Sequence, residues 1–116
     1  MHNFKEHKIW MDSMDIVEDI YKITNNFPGS EKFGLINQMR RCAVSIPSNI
    51  AEGSGRSDKD FCRFLSMSLS SSFELETQLI ISKRLELIDE NNFENILGKV
   101  SKLQKMIFGF KKKISE

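Results

Sequence analysis

Apolar side chains recur at helical spacing along nearly the whole chain, in four stretches separated by short breaks. In the first stretch Ile9, Ile16, Ile20 and Ile23 form one seam, and Trp10, Met14, Val17 and Tyr21 form its neighbour. Two adjacent seams at this period predict a helix with two partners, from about His7 to Thr24. Asp12, Asp15, Glu18 and Asp19 fall between the seams, and NNFPGS breaks the pattern with Pro28 and Gly29.

A second helix follows, capped by Ser30 or a neighbour and ended by Gly53, with Leu35, Met39, Cys42, Ile46 and Ile50 at steps of three and four. Pro47 lies inside this stripe and cannot donate to the carbonyl of Ala43, a loss of about 3 kcal/mol in an isolated helix. The pattern therefore predicts a kink at Pro47. A new helix starting at that proline would have only about one turn before Gly53, too short to hold by itself.

Ser57 with Asp60 three positions later has the form of a capping box and opens a third helix. Neither glycine nor proline interrupts Lys59 to Leu87. Its predicted apolar stripe is Phe61, Phe64, Leu65, Leu69, Phe73, Leu79 and Ile80, while Ser66, Ser68, Ser70, Ser71 and Ser72 supply small side chains suited to close approach of another helix. Asp89 caps a fourth helix, stapled by Ile88 and Phe93 and carrying Ile96, Leu97, Val100, Leu103, Ile107, Phe110 and Ile114. Loops are expected near Asn25–Ser30, Gly53–Arg56 and Leu87–Asp89. Four amphipathic helices joined by short loops predict an all-α, up-down-up-down four-helix bundle, one domain over residues 1–116.

Composition agrees with a folded chain: 40% hydrophobic and 28% charged residues are too apolar for disorder. No apolar run approaches the roughly 18 residues of a membrane span, and MHNFKEHKIW carries charges where a signal peptide needs an apolar core. The expected location is cytoplasmic. Cys42 and Cys62 lack a CxxC spacing and read as buried, reduced thiols.

Several motifs occur together. They are Phe4 with Ile9-Trp10, Phe27-Pro28 with Glu31 and Gly34-Leu35, and above all Arg40-Arg41 with Ala43-Val44-Ser45-Ile46-Pro47-Ser48-Asn49-Ile50-Ala51-Glu52-Gly53. Phe64-Leu65 and Glu74-Leu75-Glu76 with Gln78-Leu79 follow in register. In this combination the chain resembles the small proteins named for the intervening sequences of 23S ribosomal RNA genes, also called S23 ribosomal proteins. His7 stands where an aliphatic residue is usual, and Ser68 and Ser70 replace small Ala and Gly. The resemblance implies a left-handed bundle assembling as a homopentamer, with no established catalytic activity. A related accessory protein of diversity-generating retroelements is similar in fold, forms a basic pentameric barrel, and binds nucleic acid and a reverse transcriptase; this chain is far less basic.

Catalysis is not expected. Both histidines, His2 and His7, lie ahead of the bundle, so neither a Ser-His-Asp arrangement nor a Glu-x-x-His metal motif can form in its centre. Glu52, Glu74 and Glu76 are the set that could offer carboxylates to a hard cation, but such an ion wants several convergent oxygens, so no metal site is expected, and no cofactor motif is present. Gln38, Arg41, Ser45, Asn49 and Glu52 trace a polar stripe on the second helix, matched by Arg63, Ser70, Glu74 and Gln78 on the third. The favoured reading is structural, a network that fixes the kink and a subunit interface, with Arg41 offering its planar fork to Glu74 or Glu52; the functional reading is a ligand or nucleic-acid surface.

The net charge of +1 argues against a generic polyanion binder, but the distribution is uneven. Arg40, Arg56, Lys59 and Arg63 flank the second loop. Lys99, Lys102, Lys105, Lys111, Lys112 and Lys113 crowd the fourth helix, with no acid between Asn95 and Ser115. These ten cations are the candidate contacts to RNA or DNA. Any binding would be directed at the phosphate backbone, since aromatic interleaving and RNP, KH or zinc-finger motifs are missing. The alternative is a scaffold for a protein partner, or an accessory factor for a nucleic-acid enzyme such as a reverse transcriptase.

Overall fold

The computed structural model describes residues 2–116. Four helices run antiparallel in sequence: α1 (Lys8–Thr24), α2 (Asn37–Ser54), α3 (Asp58–Arg84) and α4 (Glu90–Ser115). Each packs on its chain neighbour and α4 closes back on α1, giving a bundle of 44 × 24 × 20 Å. No strand occurs among the described residues, and no helix there is long and apolar enough to cross a membrane.

The core seams follow the predicted periods with one change of register. On α3 the buried positions include Phe61, Leu65, Ser68, Ser72, Leu75, Leu79 and Ser82, at strict steps of four and three, with Leu69 and Gln78 buried beside them. That heptad leaves Phe73 and Ile80, both assigned to the stripe from sequence, exposed by 53% and 37%. Serines fill three core positions instead, and their hydroxyls are satisfied: Ser72 donates to the Leu69 carbonyl, Ser82 to that of Gln78, and Ser68 crosses to the Ile46 carbonyl on α2 at 2.8 Å. Small volume with no orphaned donor lets α2 and α3 approach closely. The second seam of α1 is likewise only partly covered, with Met14 and Tyr21 exposed.

Helix ends differ more. Residues Gly29–Glu31 form a 3-10 turn and Lys32–Ile36 a π-type turn, with Gly34 off helical angles at φ −107° and ψ −107°. Helix α2 proper therefore begins at Asn37 rather than beside Ser30. It then continues without a break through Pro47 to Ser54. Gly53 does not terminate it. No glycine has positive φ, and a Cβ at Gly53 would lie 2.6 Å from the Cβ of Phe64 and 2.9 Å from Cδ1 of Phe61. That glycine is required by helix contact, not by a left-handed cap.

The caps of α3 and α4 match expectation: the Ser57 hydroxyl accepts from the Asp60 N–H, and the Asp89 carboxylate accepts from that of Asn92. Helix α3 stops three residues earlier than Leu87. Leu87 N–H donates to Ser82 O and Glu86 N–H to Lys83 O, which is a Schellman motif. Its left-handed position is held by Glu86, at φ 58°, where glycine is usual.

Candidate functional site

Because each helix pair leaves one seam facing outward, the bundle has four faces with different chemistry. The α1–α2 face is an apolar groove of about 270 Å³ lined by Trp10, Met14, Val17, Val44, Pro47 and Ala51. On the α3–α4 face Gln104 meets Glu76 at 2.9 Å. Phe73 and Ile80 lie three and four residues from Glu76, and Phe108 four from Gln104, so these three exposed side chains share that face. The α1–α4 face is charged, with Asp12, Asp15, Lys99 and Lys102 around a smaller cleft and Lys99 bonded to Asp19 at 2.6 Å. That bond raises the Lys99 pKa.

The α2–α3 face carries the polar stripe. Gln38, Arg41, Cys42, Ser45, Ser71, Glu74 and Gln78 line an open cleft of about 330 Å³. Ser45 and Ser71 hydroxyls bond at 2.9 Å, and the Asn49 amide donates to both the carbonyl and the hydroxyl of Ser45. The Cys42 thiol donates to Glu74 at 3.4 Å and accepts from the Gln78 amide at 3.4 Å. Burial first, and the Glu74 carboxylate after it, push the thiol pKa up against the opposite pull of Gln78 and Arg41. Such a thiol is a poor nucleophile.

Two features of this cleft depart from expectation. Arg41 makes no ion pair among the described residues; Glu52 pairs instead with Arg56 at 3.6 Å, one turn away on its own helix. Cys42 is half-buried and free, at the centre of the stripe. The signal was its position one turn beyond Gln38, but an apolar side chain on a core stripe masked it.

The candidate nucleic-acid contacts do not form one surface. Arg40 sits at the end of the bundle where α1 gives way to α2, its guanidinium stacked on Tyr21 at 4.4 Å and bonded to Thr24 and Asn25. Arg56, Lys59 and Arg63 lie at the other end. Arg56 covers Phe64 and pairs with Glu52; Arg63 pairs with Asp60 at 3.2 Å. Lys111, Lys112 and Lys113 reach the same end, because the Cys62 thiol contacts the Lys111 carbonyl and Lys59 shares a cleft with Ile114 and Ser115. Lys105 is exposed on α4.

That end is also closed by the N-terminal segment. His2 donates its backbone N–H to the Ser54 carbonyl, and its ring bonds Asp58 at 3.0 Å. The rings of His2 and His7, 5.5 Å apart, pack with those of Phe61 and Phe110. Burial, then the charge of His2, lower the His7 pKa against the opposing effect of Glu6. The histidines thus cap the core as half-buried rings rather than lying apart from it. Among the described residues no three His, Cys, Asp or Glu side chains converge as metal ligands.

Comparison with known proteins places this architecture. No curated protein matches the chain. A solved structure from Bacteroides thetaiotaomicron, a protein of unknown function from the S23 ribosomal protein family, is similar with a TM-score of 0.81 and 26% sequence identity over 90% of this chain and 98% of that one. Residues 5–109 match the model of the 23S rRNA-intervening sequence protein, and the chain belongs to that family.

Proposed function

We propose that this protein is a non-enzymatic, cytoplasmic scaffold that works as a ring of identical copies, five by resemblance to its family, and that contacts RNA or DNA weakly through phosphates. The observation that carries the ring is the pair of apolar surfaces on opposite faces of an already complete core. The α1–α2 groove is concave, with Met11, Met14, Tyr21 and Val44 exposed beside or within it; the α3–α4 face exposes the large side chains Phe73, Ile80 and Phe108. Two different surfaces, a groove on one copy and projecting side chains on the next, give a head-to-tail contact, which closes into a ring where the rotation between copies divides the full circle. In that contact α2 of one copy meets α3 of the next.

Light scattering on the purified protein at micromolar concentration tests this reading. The expected mass is a multiple of 13.4 kDa, and Phe73→Glu reduces it to the monomer without loss of helicity. A clean monomer in the unmodified protein overturns the ring.

Nucleic-acid contact is favoured by Lys59, Lys111, Lys112 and Lys113 at one end of each bundle, because a ring repeats that small patch and gains by multivalency. A structured RNA and a duplex DNA, each titrated as salt rises, provide the check. Binding that weakens steeply with salt and ignores sequence supports phosphate contact. If neither binds at low salt, the ring serves a protein partner instead, for which pull-down from the source cell is the assay.

A further inference from the structure

The N-terminal segment, residues 2–7, lies across one end of the bundle as a strap with few anchors. Its 3-10 turn, Phe4–Glu6, contains no buried residue. Phe4 packs edge-on against Trp10, with ring centres 5.3 Å apart. His2 is tied by its backbone N–H to the Ser54 carbonyl at the end of α2 and by its ring to Asp58 at the start of α3. His7 is the hinge. It is the N-cap of α1 without a side-chain cap bond, and its carbonyl accepts from the N–H groups of Trp10 and Met11. The first turn of α1 therefore keeps its own bonds whether or not the strap is in place.

What holds the strap down is a pair of imidazoles on an apolar floor. The rings of His2 and His7 stand 5.5 Å apart; His2 lies 5.1 Å from the fully buried Phe61 ring and His7 4.9 Å from that of Phe110. Such packing suits neutral rings. A proton on His2 is balanced by Asp58, whereas a proton on His7 meets His2, with Glu6 opposing. The elements packed around His7 offer it rings, or charges already paired or of the same sign. From α3 and α4 come the Phe61 and Phe110 rings, with Lys111 and Lys113 following the latter; Lys8 pairs with Asp12 on α1, and Arg56 with Glu52 on α2. Burial first, and the charge of His2 after it, hold the His7 pKa below its ordinary value of 6.5, so a proton binds the released strap more tightly than the closed one. We infer that residues 2–7 are a proton-operated latch, closed at neutral pH and released in acid while the four helices stay folded. Release uncovers Phe61 and Phe110 at the end of the bundle that carries Lys59, Lys111, Lys112 and Lys113, so that end presents a different surface in acid.

Amide hydrogen exchange of the intact protein, followed by NMR between about pH 7 and pH 5 across the ordinary histidine range, tests the latch. The Glu6 and His7 N–H groups donate to the Asn3 and Phe4 carbonyls, and a turn this short does not persist once the strap is free. Their protection factors, which remove the intrinsic pH dependence of exchange, therefore read the opening even where the open form is a minor population. One proton on one side chain sets the slope: protection should fall by up to about tenfold per pH unit below 6.5, while the amides of Ile46 and Ile50 in α2 keep theirs. His7→Phe retains a ring on the Phe110 floor and removes the proton, so the fall should disappear. Should that variant fail to fold, the comparison of strap with α2 amides in the unmodified protein decides by itself. The proposal is overturned if strap protection does not change with pH, if the α2 amides lose protection in parallel, which is unfolding of the whole bundle, or if His7→Phe shows the same fall.

Discussion

Gly53→Ala tests the close approach of α2 and α3 on which the core depends. The new Cβ would stand 2.6 Å from the Phe64 Cβ, 2.9 Å from Phe61 Cδ1 and 3.2 Å from Phe64 Cγ. Carbon atoms in good contact are about 3.5–4.0 Å apart, so the helices must separate by about 1 Å. The Phe64 Cβ is fixed to the α3 backbone and cannot swing away. Phe61, fully buried, has no space to enter. Alanine improves helix propensity by about 1 kcal/mol, but overpacking costs about 1–3 kcal/mol and parts the neighbouring contacts along the seam. Taking the upper end of that cost, since neither phenylalanine can move aside, the expected net loss is about 2 kcal/mol, or about 8 °C in melting temperature for a domain of this size. Urea and thermal unfolding followed by circular dichroism measure it. Gly109→Ala is the internal reference, since nothing lies within 4 Å of its Cβ, and it should gain about 0.5–1 kcal/mol in α4. Equal or higher stability for Gly53→Ala would refute the close approach.

Three other outcomes are expected. Glu86→Gly relieves a left-handed non-glycine residue in the Schellman turn and should stabilise the fold by about 1 kcal/mol, seen as a higher urea midpoint with an unchanged slope. Ser68→Ala removes the buried bond to the Ile46 carbonyl and should lower stability by about 1 kcal/mol in the same assay. The folded state holds the His7 pKa below its ordinary value of 6.5, so the unfolded chain binds the extra proton first. The contribution is complete above 6.5 and is lost as pH falls through the lowered folded value; His7→Gln should flatten that part of the stability profile, and an unchanged profile would discount the His2–His7 contact.

What could be read from sequence depended on whether one chain segment decided the feature. The four helices were legible because seams such as Met39–Ile46–Ile50 and Ile96–Val100–Leu103–Ile107 repeat at helical steps, and the caps at Ser57 and Asp89 are local. The end of α3 was not, since its left-handed residue is a glutamate that no composition rule flags. The register of α3 failed for a related reason. Phe73 looks more like core than Ser72 does, yet the heptad that faces α2 and α4 takes Ser72, and only the packed bundle shows that the volume there is small. The polar stripe was legible as a periodicity on α2, but its pairing was not: Arg41 stays apart from both carboxylates offered to it, and a cysteine joins the two helices instead.

The same limit applies to charge, and it decides which cations can serve a polyanion. Exposed ion pairs contribute only about 0–1 kcal/mol to the fold, so a phosphate could draw Lys99 from Asp19 or Arg63 from Asp60 at little cost to stability. The acid left behind would then face the polyanion and cancel the contact. Lys111, Lys112 and Lys113 have no such partner among the six ion pairs of the described residues, and the two acids that flank Lys59 are engaged elsewhere, Asp58 with His2 and Asp60 with Arg63. Arg40, Lys102 and Lys105 are unpaired there too, but Arg40 is stacked on Tyr21 at the far end and Lys102 shares its cleft with Asp12 and Asp15, so the cluster of unpaired cations, and binding with it, should rest on this end of the bundle. Replacing the three lysines together by alanine should abolish low-salt binding of both RNA and duplex DNA, whereas Lys99→Ala and Arg63→Ala should leave it nearly unchanged. Because the three are exposed or half-buried at the last turns of α4, the triple variant should keep its helicity and its oligomeric mass. Loss of binding in the paired-cation variants, with the lysine triple variant still competent, would show that the paired cations carry the contact and that the unpaired lysines are only a solvated helix end.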